Sequence, residues 1–339
     1  MPIKPLRGGE PIPLDSPDDV AALVGHLSRG DREPAWLGTH FAYLAGTRPE
    51  WFQPHQETVI ADPRLLARLD LSFADLRVLF DGASDRCVEL LYRRLRDRWS
   101  FGEAWALSAI GTDAALVAIA DDVRQGGDRE VYEESGIWIP PAGPAEYRFT
   151  PHRQVITLEA GDFPAADHPV GLPLDRVVRD PSTSPVSWHY LSLRLADIPG
   201  LPAWPATHAH LIGLNSWCMW TLFAEVDSDG RYEAEQAVFE DETDDEIGGD
   251  PTTGRAVLRP YGPDLLYCNG HVDLTPGVVG TVGGPPLGIY PNPSCPSCKR
   301  LMFHTATVSH HIREYGDGWR SLYLCEDCHT VAVTATGWN

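Results

Sequence analysis

Lysine is almost missing from this chain: Lys4 and Lys299 stand alone among 27 basic residues, the rest being arginine. Acidic residues outnumber basic ones, and the formal net charge is −21. The surplus is uneven. Residues 1–150 carry −8, residues 151–290 carry −13, and residues 291–339 are neutral. Nucleic-acid backbones are held by clustered Lys and Arg. No basic stripe is present, so a nucleic-acid partner is disfavoured; the acidic body first of all keeps a chain in solution, and would steer it toward a basic protein partner. Long apolar runs are missing too. No stretch approaches the roughly 18 residues of a membrane span; the most apolar one, residues 210–226, is broken by Asn215 and Ser216. No membrane association is expected. Residues 1–14 are rich in Pro and Gly, read as a disordered segment, and lack the apolar core of a secretory signal. A cytoplasmic location is expected.

Several catalytic motifs are absent as well. There is no H-E-x-x-H for a metalloprotease and no G-x-S-x-G for a nucleophile elbow. The turn Val282-Gly283-Gly284-Pro285-Pro286 is not followed by the Gly-Lys-Ser/Thr of a phosphate loop. The apolar fraction, 43%, still suffices for a packed core, and 339 residues allow about two domains.

What is present is a four-cysteine pattern near the end. Cys295-Pro296-Ser297-Cys298 and Cys325-Glu326-Asp327-Cys328 are two C-x-x-C pairs separated by residues 299–324. Each pair can offer two thiolates to one tetrahedral zinc. Four thiolates leave no open coordination position, so one structural Zn2+ is expected on Cys295, Cys298, Cys325 and Cys328, and no catalytic residue is assigned. Disulfides and free buried thiols are the alternatives. Cys87, Cys218 and Cys268 read as ordinary buried thiols of a reducing compartment.

In chain order, residues 15–135 read as a helical domain. Ser16 caps a helix with Pro17 at its start and Val20, Leu23 and Leu27 on one face. Residues 34–44 are a second candidate, and Asp62-Pro63 begins a short third. Ser72-x-x-Asp75 and Ser100-x-x-Glu103 have capping-box spacing. Ser84 caps an amphipathic run with Val88, Leu91 and Leu95 on the apolar face, and Arg93, Arg94, Arg96 and Arg98 mostly on the other, where a solvated face is the expectation and contact with an anion the alternative. Residues 104–116 read as helix, Gly111 stop, Thr112 cap and helix, which resembles one unit of a HEAT-type repeat. Residues 136–206 are rich in proline and read as a linker that becomes the edge of a second domain, with a short strand at 153–158. Residues 207–339 read as β-rich. Strands are expected at 210–214, 217–226 and 231–239, followed by an acidic loop at 239–250. A zinc ribbon at 291–339 closes the chain, with strands at 301–308, 322–324 and 331–336 and a turn at 315–318.

His208-x-His210 and His310-His311 are the histidine pairs that a second, catalytic metal would need. Asp162, Asp167 and His168 are acidic or imidazole ligands of suitable type. Histidines held by ordinary hydrogen bonds are the default. His304 and His329 lie close enough in sequence to stand in for a cysteine, although four thiols suffice.

Gly283-Gly284-x-Pro286, Cys295-Pro296-x-Cys298, Met302 and Leu322-Tyr323-x-Cys325-x-x-Cys328 together resemble the YwqG-like family of uncharacterised bacterial proteins. The likeness covers about residues 200–339, and more weakly 140–200. It implies an α+β or mostly β domain, with a zinc knuckle pair in some members, and no established activity. Residues 287–290 depart from the Trp-x-Gln that follows the glycines in that family. The expectation is therefore an α+β chain: a HEAT-like helical domain, then a β-rich domain ending in a zinc ribbon. Its expected function is non-catalytic protein binding, in one form an immunity or antitoxin-like hold on a basic partner. A metal-dependent hydrolase at His208 and His210, and nucleic-acid binding by the ribbon, are the alternatives.

Overall fold

The computed structural model describes residues 16–29, 45, 48–68, 73–163, 165–214, 219–239, 252–261, 277–285, 292–309 and 318–337. The chain divides into two compact units, with described residues up to Glu146 in the first and from Tyr147 onward in the second. The expected elements at 34–44, 239–250 and 315–318, and His310 and His311, lie wholly or mostly outside the described residues.

The first unit is helical. Its helices are α1 (Pro17–Arg29), α2 (Pro49–Phe52), α3 (Gln56–Ala61), α4 (Pro63–Arg68), α5 (Phe73–Phe80), α6 (Asp85–Asp97), α7 (Phe101–Ile110), α8 (Asp113–Arg124) and α9 (Arg129–Glu134). Capping chemistry sets most starts. The backbone N–H and hydroxyl of Ser16 both donate to Asp19. Ser100 accepts from the Glu103 N–H, and Thr112 accepts from the Ala115 N–H. Gly111, at φ 78°, closes α7 in the left-handed region. Ser84 is different: it precedes α6 with extended backbone, but its hydroxyl donates to Glu57 instead of capping the helix.

α7 is apolar around its circumference, and Ala104, Ala106, Leu107, Ala109 and Ile110 are all buried. It therefore sits centrally, packed by α5, α6, α8 and α9. The arginine face of α6 is not wholly solvated. Arg94 turns back onto the Ile60 and Ala61 carbonyls at the end of α3, at 2.5 and 2.7 Å, and satisfies two acceptors that the helix leaves open. A short ladder of β1 (Ile137–Trp138) and β2 (Glu146–Tyr147) follows.

The second unit is one large antiparallel sheet. Its strands are β3 (Gln154–Ala160), β4 (Pro169–Val170), β5 (Trp188–Arg194), β6 (His208–Gly213), β7 (Trp220–Val226), β8 (Tyr232–Phe239), β9 (Gly254–Pro260), β10 (Val278–Val282), β11 (Phe303–Ser309), β12 (Gly318–Cys325) and β13 (Thr330–Gly337). Their order is β6-β5-β4-β9-β3-β10-β11-β12-β13-β7-β8. The proline-rich stretch thus contributes β3, β4 and β5, and β3, at the expected strand, lies inside the sheet. Residues 303–337 are likewise continuous with the larger sheet and do not stand apart from it.

The sheet curls, bringing β6 over β12 and β13. Leu191, Leu193, Leu211, Leu222, Leu322, Val331 and Val333 fill the interior of the curl. Tyr232, fully buried, fastens the curl. Its hydroxyl accepts the His210 N–H at 2.6 Å, its N–H donates to the Val177 carbonyl, and its carbonyl accepts the Arg179 N–H. Tyr232→Phe removes the hydroxyl and leaves the His210 N–H without that acceptor. An expected loss of about 1–3 kcal/mol follows, to be read as a lowered midpoint in urea with an unchanged slope.

Candidate metal centre

The two C-x-x-C pairs are placed by the sheet. Cys295 and Cys298 lie on the segment that enters β11, and Cys325 and Cys328 form the turn between β12 and β13. Each pair is followed by a residue in the left-handed region, Lys299 at φ 62° and His329 at φ 53°. That reversal closes each knuckle around its sulfurs. In the first knuckle the Lys299 N–H donates to the Cys295 carbonyl and the Cys295 N–H to the Arg300 carbonyl, both at 2.9 Å.

The four Sγ atoms lie within 4.8 Å of one another. Cys298 and Cys325, from opposite knuckles, are 3.6 Å apart. A disulfide needs about 2.05 Å, whereas a tetrahedron with Zn–S of about 2.3 Å has edges of about 3.8 Å. The arrangement fits a tetrahedral ion between the knuckles. Among the described residues it is the one group of three or more His, Cys, Asp or Glu side chains that could hold a metal.

Burial pushes the Cys295 thiol up, but the backbone N–H groups of Cys298 and Ser297 and the neighbouring thiols outweigh it, and its pKa falls to about 7. Burial and the adjacent sulfurs raise Cys325, and raise Cys328 to about 11. Without an ion the cluster therefore keeps most of its protons, and metal binding must release them.

Beneath the sulfurs lies a small apolar floor of Met302, Tyr323, Ala332 and Phe223. Around them lies an ionic frame. Arg300 of the first knuckle reaches Glu326 and Asp327 inside the second, at 3.2 and 2.9 Å. Arg148, 4% exposed, donates to Glu326 at 2.7 Å and to the Leu301 carbonyl at 2.9 Å. Burial pushes the Glu326 carboxyl up, while Arg148 and Arg300 hold it below its ordinary value. These partners were not singled out from the sequence. Arg300 and Asp327 are neighbours of the cysteines, a signal that was there to use; Arg148, 178 residues from Glu326, left none.

Gly283-Gly284 supports the first knuckle's strand. Gly283 donates to the Thr305 carbonyl and Gly284 to the Thr150 carbonyl, both at 2.8 Å. The Gly284 carbonyl faces His304 Nδ1 at 3.0 Å. Both glycines have positive φ, 69° and 71°, and a Cβ on Gly283 would lie 2.0 Å from the His152 carbonyl oxygen. Gly283→Ala is expected to cost roughly 3 kcal/mol or more through backbone strain and displacement of β11. Chemical denaturation reads this loss.

His168, His189, His208, His210 and His304 are each held by hydrogen bonds. Leu172 N–H donates to His189 Nδ1 at 2.9 Å, so the neutral ring carries its proton on Nε2 and gives it to Ser192 at 2.8 Å. Ser192 in turn faces His210 Nδ1 at 2.7 Å, and the His210 ring also bonds the Gly230 backbone. His208 is held by Thr207 at 3.0 Å and the Asp167 carbonyl at 3.2 Å. His168 accepts from the Arg194 N–H and bonds Asp197, while Asp167 pairs with Arg194. His304 lies between Gly284 and Thr307, away from the sulfurs. The described residues bring His208 and His210 side by side, 6.5 Å apart and stacked, but assemble no third ligand with them. Asp162 joins no cluster.

No family model, curated protein or solved structure matches the chain. No helix is long and apolar enough, among the described residues, to cross a membrane.

Proposed function

We propose that the chain is a non-catalytic protein-binding module whose sheet is fastened by one structural Zn2+ on Cys295, Cys298, Cys325 and Cys328, and that its partner is a basic protein. The observation that carries the reading is the convergence of four thiols within 4.8 Å from two like knuckles. A four-thiolate site binds an ion without leaving a position for substrate. The charge of −21 adds the second half, because an acidic body speeds and orients encounters with a basic surface. An immunity or antitoxin-like hold on a basic protein in the cytoplasm is the concrete form. The zinc-ribbon character of residues 291–339, the HEAT-like character of the α7–α8 pair and membership of the YwqG-like family belong to the same proposal. The family reading is supported by the structural work its motif residues do: Gly283 and Gly284 in a crowded turn, Met302 under the sulfurs.

This reading is preferred to a hydrolase at His208 and His210 because the His210 ring is already engaged by Ser192 and Gly230. Elemental analysis of untagged protein tests the metal: one zinc per chain supports the reading, and none removes its foundation. A pull-down from the native host at low and high salt tests the partner. Retention of a basic protein that salt releases is the expected result. A gel shift with steep salt dependence would instead favour nucleic acid.

A further inference from the structure

We propose that the four-cysteine centre is also an oxidation site for hydroperoxides, at which Cys298 is attacked and Cys325 then closes a disulfide between the two knuckles. The proposal rests on the metal reading above and adds a chemistry to it. Its basis is the unequal exposure of four thiols that otherwise share one centre. Cys295 and Cys325 are 0% and 1% exposed, and Cys295 packs with Met302, Tyr323 and Ala332. Cys328 is half-buried, and Cys298 is exposed. An oxidant arriving from solvent meets Cys298 first. Thiolate character and access together select which cysteine is oxidised.

The second step follows from proximity. The Cys298 sulfur lies 3.6 Å from that of Cys325, so a sulfenic acid at Cys298 has a resolving sulfur beside it, across the knuckles. The Cys298 thiolate attacks one oxygen of hydrogen peroxide; the O–O bond breaks, the S–O bond forms, and hydroxide leaves. The Cys325 thiolate then attacks the sulfenic sulfur; the S–S bond forms and a second hydroxide leaves. Two thiolates lose two electrons, the peroxide gains them, and two protons taken up from the buffer convert the hydroxides to water. Cys295 and Cys328 remain, and two donors do not hold a tetrahedral ion. Oxidation therefore ejects the metal, and reduction by a thiol restores the site.

The experiment treats the full zinc-loaded chain with hydrogen peroxide in the presence of a chromogenic chelator. Complete release of the bound zinc is expected, together with one Cys298–Cys325 disulfide found by non-reducing digestion and mass spectrometry, and recovery after thiol reduction and zinc addition. In Cys325→Ser, dimedone is expected to trap a sulfenic acid on Cys298; a brief dimedone pulse on the unmodified chain gives the same answer if that variant does not fold. Zinc retained through oxidation, a first disulfide inside either C-x-x-C or at Cys218 or Cys268, or a first adduct on another cysteine would each overturn the proposal. A chain that binds no zinc removes the metal reading instead, and the position of its first disulfide still decides this one.

Discussion

Cys295→Ser is expected to strip the chain of its metal and to abolish the cooperative melting of the sheet unit. Three sulfurs and a hydroxyl do not replace four thiolates, and the lost sulfur is fully buried between Met302, Tyr323 and Cys325. Closed zinc sites contribute about 10–16 kcal/mol of apparent free energy. A domain's whole stability is about 5–15 kcal/mol. The metal term is thus as large as the margin it protects, and β11, β12 and β13 carry both knuckles in the middle of the sheet order. Release at that point frees strands on either side. Cys87→Ser is the control, because Cys87 is buried in α6 of the helical unit. Zinc content and a thermal melt are measured on both variants. Loss of zinc and of the melt in Cys295→Ser, with both kept in Cys87→Ser, is the expected pattern. A Cys295→Ser chain that melts like the parent would show that the sheet stands without the ion.

The cysteines were legible because their information is local. A C-x-x-C spacing fixes two sulfurs within one turn, and two turns sharing a composition announce each other. Helix boundaries at Ser100, Gly111 and Thr112 were legible for the same reason, since a cap acts over three or four residues. The sheet was not. β3 pairs with β9 and β10 over about a hundred residues of chain, and nothing in residues 153–158 names those partners. Proline density also misled. Pro169 begins β4 and Pro260 ends β9, while Pro173, Pro181 and Pro185 lie between strands. Proline is tolerated at such positions, so counting prolines suggested a linker where their placement allowed strands. The histidines were ambiguous in kind. His208-x-His210 satisfies a metal spacing, and only the direction of each ring nitrogen, toward Ser192, Gly230 or the Asp167 carbonyl, shows what it does.

Those same rings make stability steeply dependent on acid. Burial holds His304 and His210 down to about 4, and holds His189 well below its ordinary value with His210 adding to the effect. Geometry agrees: protonated His189 would set its own Nδ1–H against the Leu172 N–H. In the unfolded chain a histidine titrates near 6.5. Between about pH 6.5 and 4 the unfolded chain therefore binds more protons than the folded one, and unfolding becomes easier as pH falls. The contribution is fully present above about pH 6.5 and is lost on approach to pH 4. His304 and His210 each account for about 3 kcal/mol at neutral pH, and His189 acts in the same direction. Glu133 and Glu134, raised by burial, pull the other way, but they belong to the helical unit.

The cysteine centre adds its own loss in acid, since thiolates must stay deprotonated to hold an ion, so the histidine part is read as a difference. Urea unfolding from pH 7 to pH 5 in saturating zinc is compared for the parent and His210→Asn. The variant starts less stable, and its stability is expected to fall with pH more gently, by about one proton, or about 1.4 kcal/mol per pH unit. Parallel slopes for the two chains would mean that His210 does not stay neutral at the cost of burial, and that the acid sensitivity comes from the other groups.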